Sequence, residues 1–543
     1  MLDFEEIATY SHLACSIGIA SAHMSSAAQV ASCRREVVVA IIFHLVHAPN
    51  SWKGNLARCA RVNKFFFHLA VKTLWEDIED WNPLYYVLHK SYGKRRGYQP
   101  TIRAPIDEQK WSRLKMYAEH VRRVRCLMDG STMEPDGAQL TTLKTLVDRA
   151  GGTPIFPNLR RVDAIHMENP PSCEPFAFLP PSLRELSLKF PLHDFLWGDD
   201  KGPDPGFEQM LRLLHTKSPA LTSFSFTFGG ENATSIVKLQ QLTPLLGFTH
   251  LQRLEVEISW ICCKGFLRAV CAKLPELVSL AVVLDTVMDD ETVEPVEGLS
   301  WLGISTLEEF QISGHPRDMA AALEIIAPSP LRVVDLRSSY DSTGWARSLK
   351  LLAAHFHSTI TRLSLAVVVD DESHCKEPPQ FALFARPLYV LSRLEAFIFD
   401  AHTVPCMSMS RLALKLTDAD LRGIAKAWPK LRKLVILGKP GSTGETITPR
   451  CISAFAGKCT QLEALALPFP DVSEFSPGTR VTKLVPTVKR LAFVQDSMHK
   501  LQEAKDARAK CGAYLARVLP NIKVFEVLPV RSGDEKVAYW KDL

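Results

Sequence analysis

From about Pro157 to Pro529 the chain keeps returning to one phrase, a proline or small polar residue followed by Leu-x-x-hydrophobic-x-hydrophobic. It reads FPNLRRVDAI at Phe156, PPSLRELSLKF at Pro180, SPALTSFSFTF at Ser218, THLQRLEVEI at Thr249 and LPELVSLAVVL at Leu274. It continues as STLEEFQIS at Ser305, SPLRVVDLRS at Ser329, STITRLSLAV at Ser358, SRLEAFIFD at Ser392, PKLRKLVILG at Pro429, TQLEALALPF at Thr460 and PNIKVFEVLP at Pro520. Self-similarity at a spacing of about 24 to 38 residues is the signature of a solenoid. One such unit buries too little apolar surface to fold alone, and stacked neighbours share a core.

Within each phrase apolar residues alternate with others, as in Leu186-Ser187-Leu188 or Leu254-Glu255-Val256, which is the period of a half-buried strand. Between phrases the apolar spacing is helical, as over Met319 to Ile326, Trp345 to Ala354, Leu421 to Trp428 and Ile452 to Ala456. Strand then helix, repeated in one direction, demands parallel strands joined by helical crossovers. The expected fold class is α/β: a solenoid over residues 121–530 with parallel strands on its concave face and helices on its convex face. Leu254 should stack between Phe224 and Leu280 of the neighbouring repeats. A doubly wound α/β domain is the alternative, but its strands would not share one opening phrase.

The N-terminal portion differs. Residues 31–128 hold 18 Lys plus Arg against 8 Asp plus Glu, so this stretch is basic while the remainder is near neutral or acidic. Glu36 to Leu45 places Val37, Ile41 and Leu45 on one helical face. Pro49, Asn50 and Gly54 interrupt it, and Asn55 to Ala60 and Asn63 to Trp75 supply two more short amphipathic helices. The expected organisation is a disordered extension over 1–32, a three-helix bundle over 33–80, a linker and helix over 81–120, the solenoid, and a tail over 531–543.

The bundle resembles an F-box in its opening Glu36 with Val37, Ile41 and Leu45, and in NLARCARVNKFFFHLAVKTLWEDI from Asn55 to Ile78 with its closing Leu74-Trp75. KWSRLKMYAEHVRRVRCL from Lys110 to Leu127 is similar to the segment joining the F-box to the repeats in F-box proteins of mushroom-forming fungi. The repeats resemble irregular leucine-rich repeats of the longer kind, although the asparagine that usually closes the repeat's turn is absent. The resemblance implies a substrate receptor that docks a Skp-type adaptor, and through it a cullin, and holds a target protein on the repeats. Carried over by position, Glu36, Val37, Ile41, Leu45, Leu56, Val62, Phe66, Leu74 and Trp75 form the bundle core and the adaptor-facing surface, two roles the residues alone do not separate. Arg34-Arg35 stand where the family has Leu-Pro, so the family's proline contact has no counterpart here. The rival reading is a repeat scaffold without a ligase link, its N-terminal helices serving only as a cap.

Strand periodicity also picks out candidate target-binding residues on the concave side. If Leu254 and Val256 point inward, Glu255 and Glu257 point out, and the same step gives Lys189, Gln311, Asp335, Arg337 and Asp400. Val435, Leu437 and Ala466 occupy the equivalent places on later strands, so an acidic middle adjoins an apolar end. That end is either an anchor site or is covered by the C-terminal segment Met498 to Leu519.

No enzyme, metal or cofactor is expected. The loop from Gly438 to Thr446 lacks phosphate-loop spacing, and Asp289-Asp290-Glu291 and Asp370-Asp371-Glu372 lack the spaced oxygen donors of a calcium loop. His355 and His357 have no glutamate placed to complete a metalloprotease motif. The basic run Lys90 to Tyr98, with Lys94, Arg95 and Arg96, is read as a solvated linker rather than a nucleic-acid site. A net charge of +5 on 543 residues implies no attraction of the whole molecule to polyanions. Thirteen cysteines with no Cys-x-x-Cys pair read as free thiols of a reducing compartment, cytoplasmic or nuclear. Asp3, Glu5 and Glu6 precede Leu13 to Ala22 where a secretory leader would carry cations, so Asn232 is not expected to carry a glycan. No run long enough for a membrane span occurs.

Overall fold

The first leucine of the phrase fixes the architecture, because in most repeats it closes a turn. Its N–H donates to the carbonyl three residues earlier at Leu251 to Phe248, Leu277 to Leu274, Leu307 to Ile304, Leu394 to Leu391, Leu431 to Trp428 and Leu462 to Cys459. These leucines are fully buried. The next two residues then enter the sheet together: N–H groups of Gln252 and Arg253 share the carbonyl of Thr222, Val278 and Ser279 that of Gln252, and Glu308 and Glu309 that of Val278. The same three-centre step recurs down to Lys523 and Val524 on Lys489. The recurring phrase is thus a recurring hydrogen-bond motif that sets strand register.

The computed structural model describes residues 27–47, 52–62, 64–79, 87–88, 106–126, 138–166, 176, 179–190, 205–228, 242–259, 263–285, 304–327, 329–369, 379–403, 410–440, 447–468, 470, 484–495 and 505–529. Lys90 to Tyr98, Asn232, Asp289 to Glu291, Asp370 to Glu372 and the tail 531–543 lie outside the described residues. Two compact units divide the chain: Met1–Met167 with Ser172–Leu188 and Thr216–Pro219, and Glu168–Pro171 with Lys189–His215 and Ala220–Leu543.

The first unit opens with helices α1 (Ala27–His47), α2 (Trp52–Cys59) and α3 (Lys64–Glu76). Val38, Ile42, Leu56 and Ala70 form their buried centre, flanked by Leu45, Val46, Phe66, Leu69 and Leu74. α1 begins at Ala27, inside the expected extension, because Ala27-Ala-Gln-Val-Ala31 contains no helix breaker. Gly54 falls within α2 and does not break it. Helix α4 (Glu108–Ala118) is capped by Asp107, which accepts from the Gln109 N–H, and Tyr117 on it stacks on Trp75, ring centroids 4.6 Å apart. Helix α5 (Ala138–Ala150), the parallel strands β1 (Asp77–Ile78), β2 (Arg123–Val124) and β3 (Arg161–His166), and β4 (Glu185–Phe190) as far as Leu188 complete the unit. β1 and β2 are additions to the expected strands: their phrases, EDI at Glu76 and VRRV at Val121, are too short to stand out.

In the second unit strands pair in chain order without exchange, β5 (Ser223–Phe228), β6 (Arg253–Ser259), β7 (Ser279–Asp285), β8 (Glu309–Gly314), β9 (Val333–Ser339), β10 (Arg362–Val369), β11 (Ala396–Thr403), β14 (Lys433–Leu437), β16 (Ala464–Pro468), β17 (Arg490–Gln495) and β18 (Val524–Pro529). Short β12 (Ser410–Arg411) pairs antiparallel with β11, and β13 (Ala413–Leu414) pairs with β15 (Lys439–Pro440). Crossovers carry α6 (Pro205–Lys217), α7 (Cys263–Lys273), α8 (Pro316–Ile326), α9 (Ser342–Phe356), α10 (Phe381–Ala385) and α11 (Asp418–Ala427), with α12 (Lys505–Val518) before the last strand. The stretch Ile452 to Ala456 belongs to a 3-10 turn, Pro449–Phe455, rather than an α-helix. Parallel strands in sequence order with helical crossovers are compatible with a solenoid. Helices pack on one face of the sheet: Phe207 of α6 lies 5.0 Å from Phe226, and Phe384 of α10 lies 5.1 Å from Phe399. No helix among the described residues is long and apolar enough to cross a membrane.

Candidate functional site

Two surfaces of candidate residues emerge, one in each unit. In the second unit the face away from the helices carries the residues that alternate with the core. Leu254 and Val256 are buried, Glu255 is exposed and Glu257 half-buried. Register sets Ser225, Glu255, Ala281, Gln311, Asp335 and Ser364 side by side in one row. Thr227, Glu257, Val283, Ser313, Arg337 and Ala366 form the next row. Lys189 is exposed near the end of β4.

The Ser225 hydroxyl donates to the Glu255 carboxylate at 2.7 Å. Burial pushes the Glu257 carboxyl pKa above its ordinary value, the neighbouring Glu255 adds to this, and Arg337 opposes it. The two glutamates therefore make this part of the sheet a place where a cation is favoured.

Asp400 corrects the expectation of one open row. Its carboxylate is 2% exposed and stands 3.9 Å from the His402 ring. Ile398, Val435, Leu437, Ala464, Ala466, Ala492, Val494 and Leu528 on the same face form a second buried apolar cluster, and Asp400 is taken under with them. The apolar end is consequently not an open anchor pocket. The C-terminal helix α12 packs on the Pro449–Phe455 turn, with the Val518 carbonyl accepting from Val485.

In the first unit, α1 turns Val38 and Ile42 into the bundle, not the Val37 and Ile41 pair. One residue is about 100° of helix rotation, so Val37 is half-buried and Ile41 36% exposed. Glu36 is exposed, Leu45, Phe66, Leu74 and Trp75 are half-buried, Leu56 is fully buried and Val62 is 65% exposed. Two residues outside the expected set, Val39 and Phe43, are 48% and 59% exposed. The signal for them was the unbroken apolar run from Val37 to Phe43, which no single helix face can hide.

Among the described residues no three His, Cys, Asp or Glu side chains stand together as a metal-binding group. His355 and His357 are both exposed at the end of α9. The chain matches no protein-family model, and no curated protein is similar enough to count as a relative.

Proposed function

We propose that the chain is the substrate-recognition subunit of a cullin-RING ubiquitin ligase of the F-box type, docking a Skp-type adaptor through α1–α3 and holding a target protein on its leucine-rich repeats. The observation that carries the reading is α1. An exposed helix keeps its apolar residues to one stripe, whereas α1 buries Val38 and Ile42 and still presents Val39, Ile41 and Phe43 outward. Exposed apolar side chains grouped on one helix mark an interaction site. The F-box resemblance of Glu36 to Trp75 names its occupant, an adaptor. The target would lie on the face away from the helices, across β5 to β9, where Glu255, Glu257 and Asp335 favour a basic partner. The cytosol or nucleus is the matching compartment, and the buried thiols of Cys451 and Cys459 fit reducing conditions.

The test is co-purification of the full chain with adaptor and cullin from a cell expressing all three. Recovery of both supports the ligase reading. Recovery of neither, under conditions that capture an established F-box protein, leaves the scaffold reading, which Arg34-Arg35 in place of Leu-Pro favours.

A further inference from the structure

The helix layer of the second unit carries an apolar hollow bordered by cations. It opens between α9 and α10, measures about 690 Å³ and is lined by Ala346, Arg347, Lys350 and Leu351 of α9 and Leu383 of α10. The two helices are fixed from beneath: Trp345 meets Phe384 at 5.6 Å, and Phe381 and Phe384 meet Phe399 of β11 at 5.3 and 5.1 Å. With Phe381, Phe384 and Ala385 buried, the inner side of α10 is complete, and Leu383 lies on its outer side, 49% exposed. A single exposed leucine is ordinary. Leu383, however, shares its place with the half-buried Leu351 and Ala346 of the preceding crossover, and apolar side chains from two elements around one hollow mark an interaction site.

The charge at its border has one sign. Neither α9 nor the segment 381–390 contains an Asp or Glu. Lys350 is exposed and has no ion pair or hydrogen bond among the described residues. The same holds for Arg386, which follows Leu383 by three residues in continuing helical backbone, φ −58° and ψ −45°, and so shares its side of the helix. Arg347 is taken by Glu324 of α8 at 2.8 Å. Asp341, which caps α9, accepts from the Thr343 and Gly344 N–H groups at 3.0 and 3.1 Å, and Asp418 and Asp420 of α11 accept from the Thr448 and Thr417 hydroxyls. These carboxylates are engaged, while Lys350 and Arg386 are not.

We propose that this hollow docks an acidic amphipathic helix of a partner protein, its apolar stripe on Leu351 and Leu383 and its carboxylates on Lys350 and Arg386. Charge complementarity selects an acidic partner. The hollow is open to solvent along two helices, which suits a helix laid across them better than a small molecule enclosed between them. The site is independent of the ligase reading, since it uses neither the adaptor helices nor the strand face assigned to the target.

The experiment measures binding of a labelled peptide of leucine, alanine and glutamate, its leucines at i, i+3, i+4 and i+7, to the full chain by fluorescence anisotropy. A version with lysine for glutamate and a sodium dodecanoate competitor run beside it. Leu383→Asp and Lys350→Glu should each weaken the acidic peptide about tenfold or more, with the thermal midpoint unchanged because both side chains already meet water. The Lys350→Glu loss should shrink as salt rises. Met116→Asp, at an exposed apolar position of α4 in the first unit, should leave binding as it was. Any of four results would overturn the proposal: no binding of the acidic peptide, no loss with Leu383→Asp and Lys350→Glu, an equal loss with Met116→Asp, or equally tight binding of the lysine version. Dodecanoate held in the hollow without the peptide would make it a fatty-acid site and would overturn it as well.

Discussion

Gly423 on α11 lies so close to Tyr389 that a Cβ in its place would stand 2.4 Å from the phenol oxygen and 2.9 Å from the ring carbon bearing it. Tyr389 in turn meets Trp428 edge to face at 6.1 Å, and the Trp428 indole N–H donates to the Leu388 carbonyl at 3.1 Å. The glycine is thus a packing requirement of two adjacent crossovers.

Gly423→Ala should therefore destabilise the second unit by about 1 to 3 kcal/mol, the usual cost of overpacking. In a Tyr389→Ala background the same change should be neutral or favourable, because alanine is the better helix former. Chemical denaturation of the four proteins of this cycle checks it. By contrast Gly54→Ala, in α2 with nothing within 4 Å of its Cβ position, should stabilise by about 0.5 to 1 kcal/mol.

Leu254 is 1% exposed and paired in register with Phe224 and Leu280. Leu254→Ala should cost about 2 to 5 kcal/mol, whereas Glu255→Ala, on the exposed side of the same strand, should change stability by less than about 0.5 kcal/mol. Urea denaturation followed by a probe in the second unit separates the two outcomes.

Two carboxyl groups give opposite pH signatures. Burial alone would raise the Asp163 pKa, but hydrogen bonds from Arg123 and Arg161, with their charges, hold it below the ordinary value. Its stabilising contribution is present above about pH 3.9 and is lost as pH falls through the depressed folded value. Glu257 is raised, by burial first and by Glu255 second. Its contribution is full below about pH 4.3 and lost as pH rises through the raised folded value. Thermal midpoints across this range should show Asp163→Asn flattening the acid limb, and Glu257→Gln removing a decline that sets in above it.

The sheet was legible because most repeats begin with a leucine whose place is fixed by both burial and a turn, so the phrase survives even where strand residues vary. In the second unit one repeat went unseen: β17 comes from TVKRLAFV at Thr487, in an interval from Thr460 to Pro520 about twice the usual spacing, because Val488 stands where the leucine should. Alternation along strands placed Glu255 and Gln311 outward, but it reports only which face a residue takes, not what lies over that face. Asp400 was misjudged as open for that reason, and the same limit left Val435 undecided between an open and a covered place. On α1 the run from Val37 to Phe43 is apolar at every position, so no period marks the inner face, and only the packing of Leu56 and Ala70 selects Val38 and Ile42.

That selection makes the proposed docking surface separable from the bundle core. Ile42, 7% exposed, packs with Val38, Leu56 and Ala70, so Ile42→Asp buries a charge and should unfold the helices, with loss of helical signal and of the thermal transition of the first unit. Phe43, 59% exposed, and Val62, 65% exposed, meet water already, so Phe43→Asp and Val62→Asp should leave fold and midpoint unchanged within about 0.5 kcal/mol. If α1 docks the adaptor, Phe43→Asp should nevertheless weaken capture about a hundredfold, since a charge would be buried in an apolar contact on binding. Ile41, at 36% exposure, should show both effects in part. A titration of immobilised adaptor with each folded variant decides it: a Phe43→Asp protein that binds as tightly as the parent would move the adaptor contact off this helix.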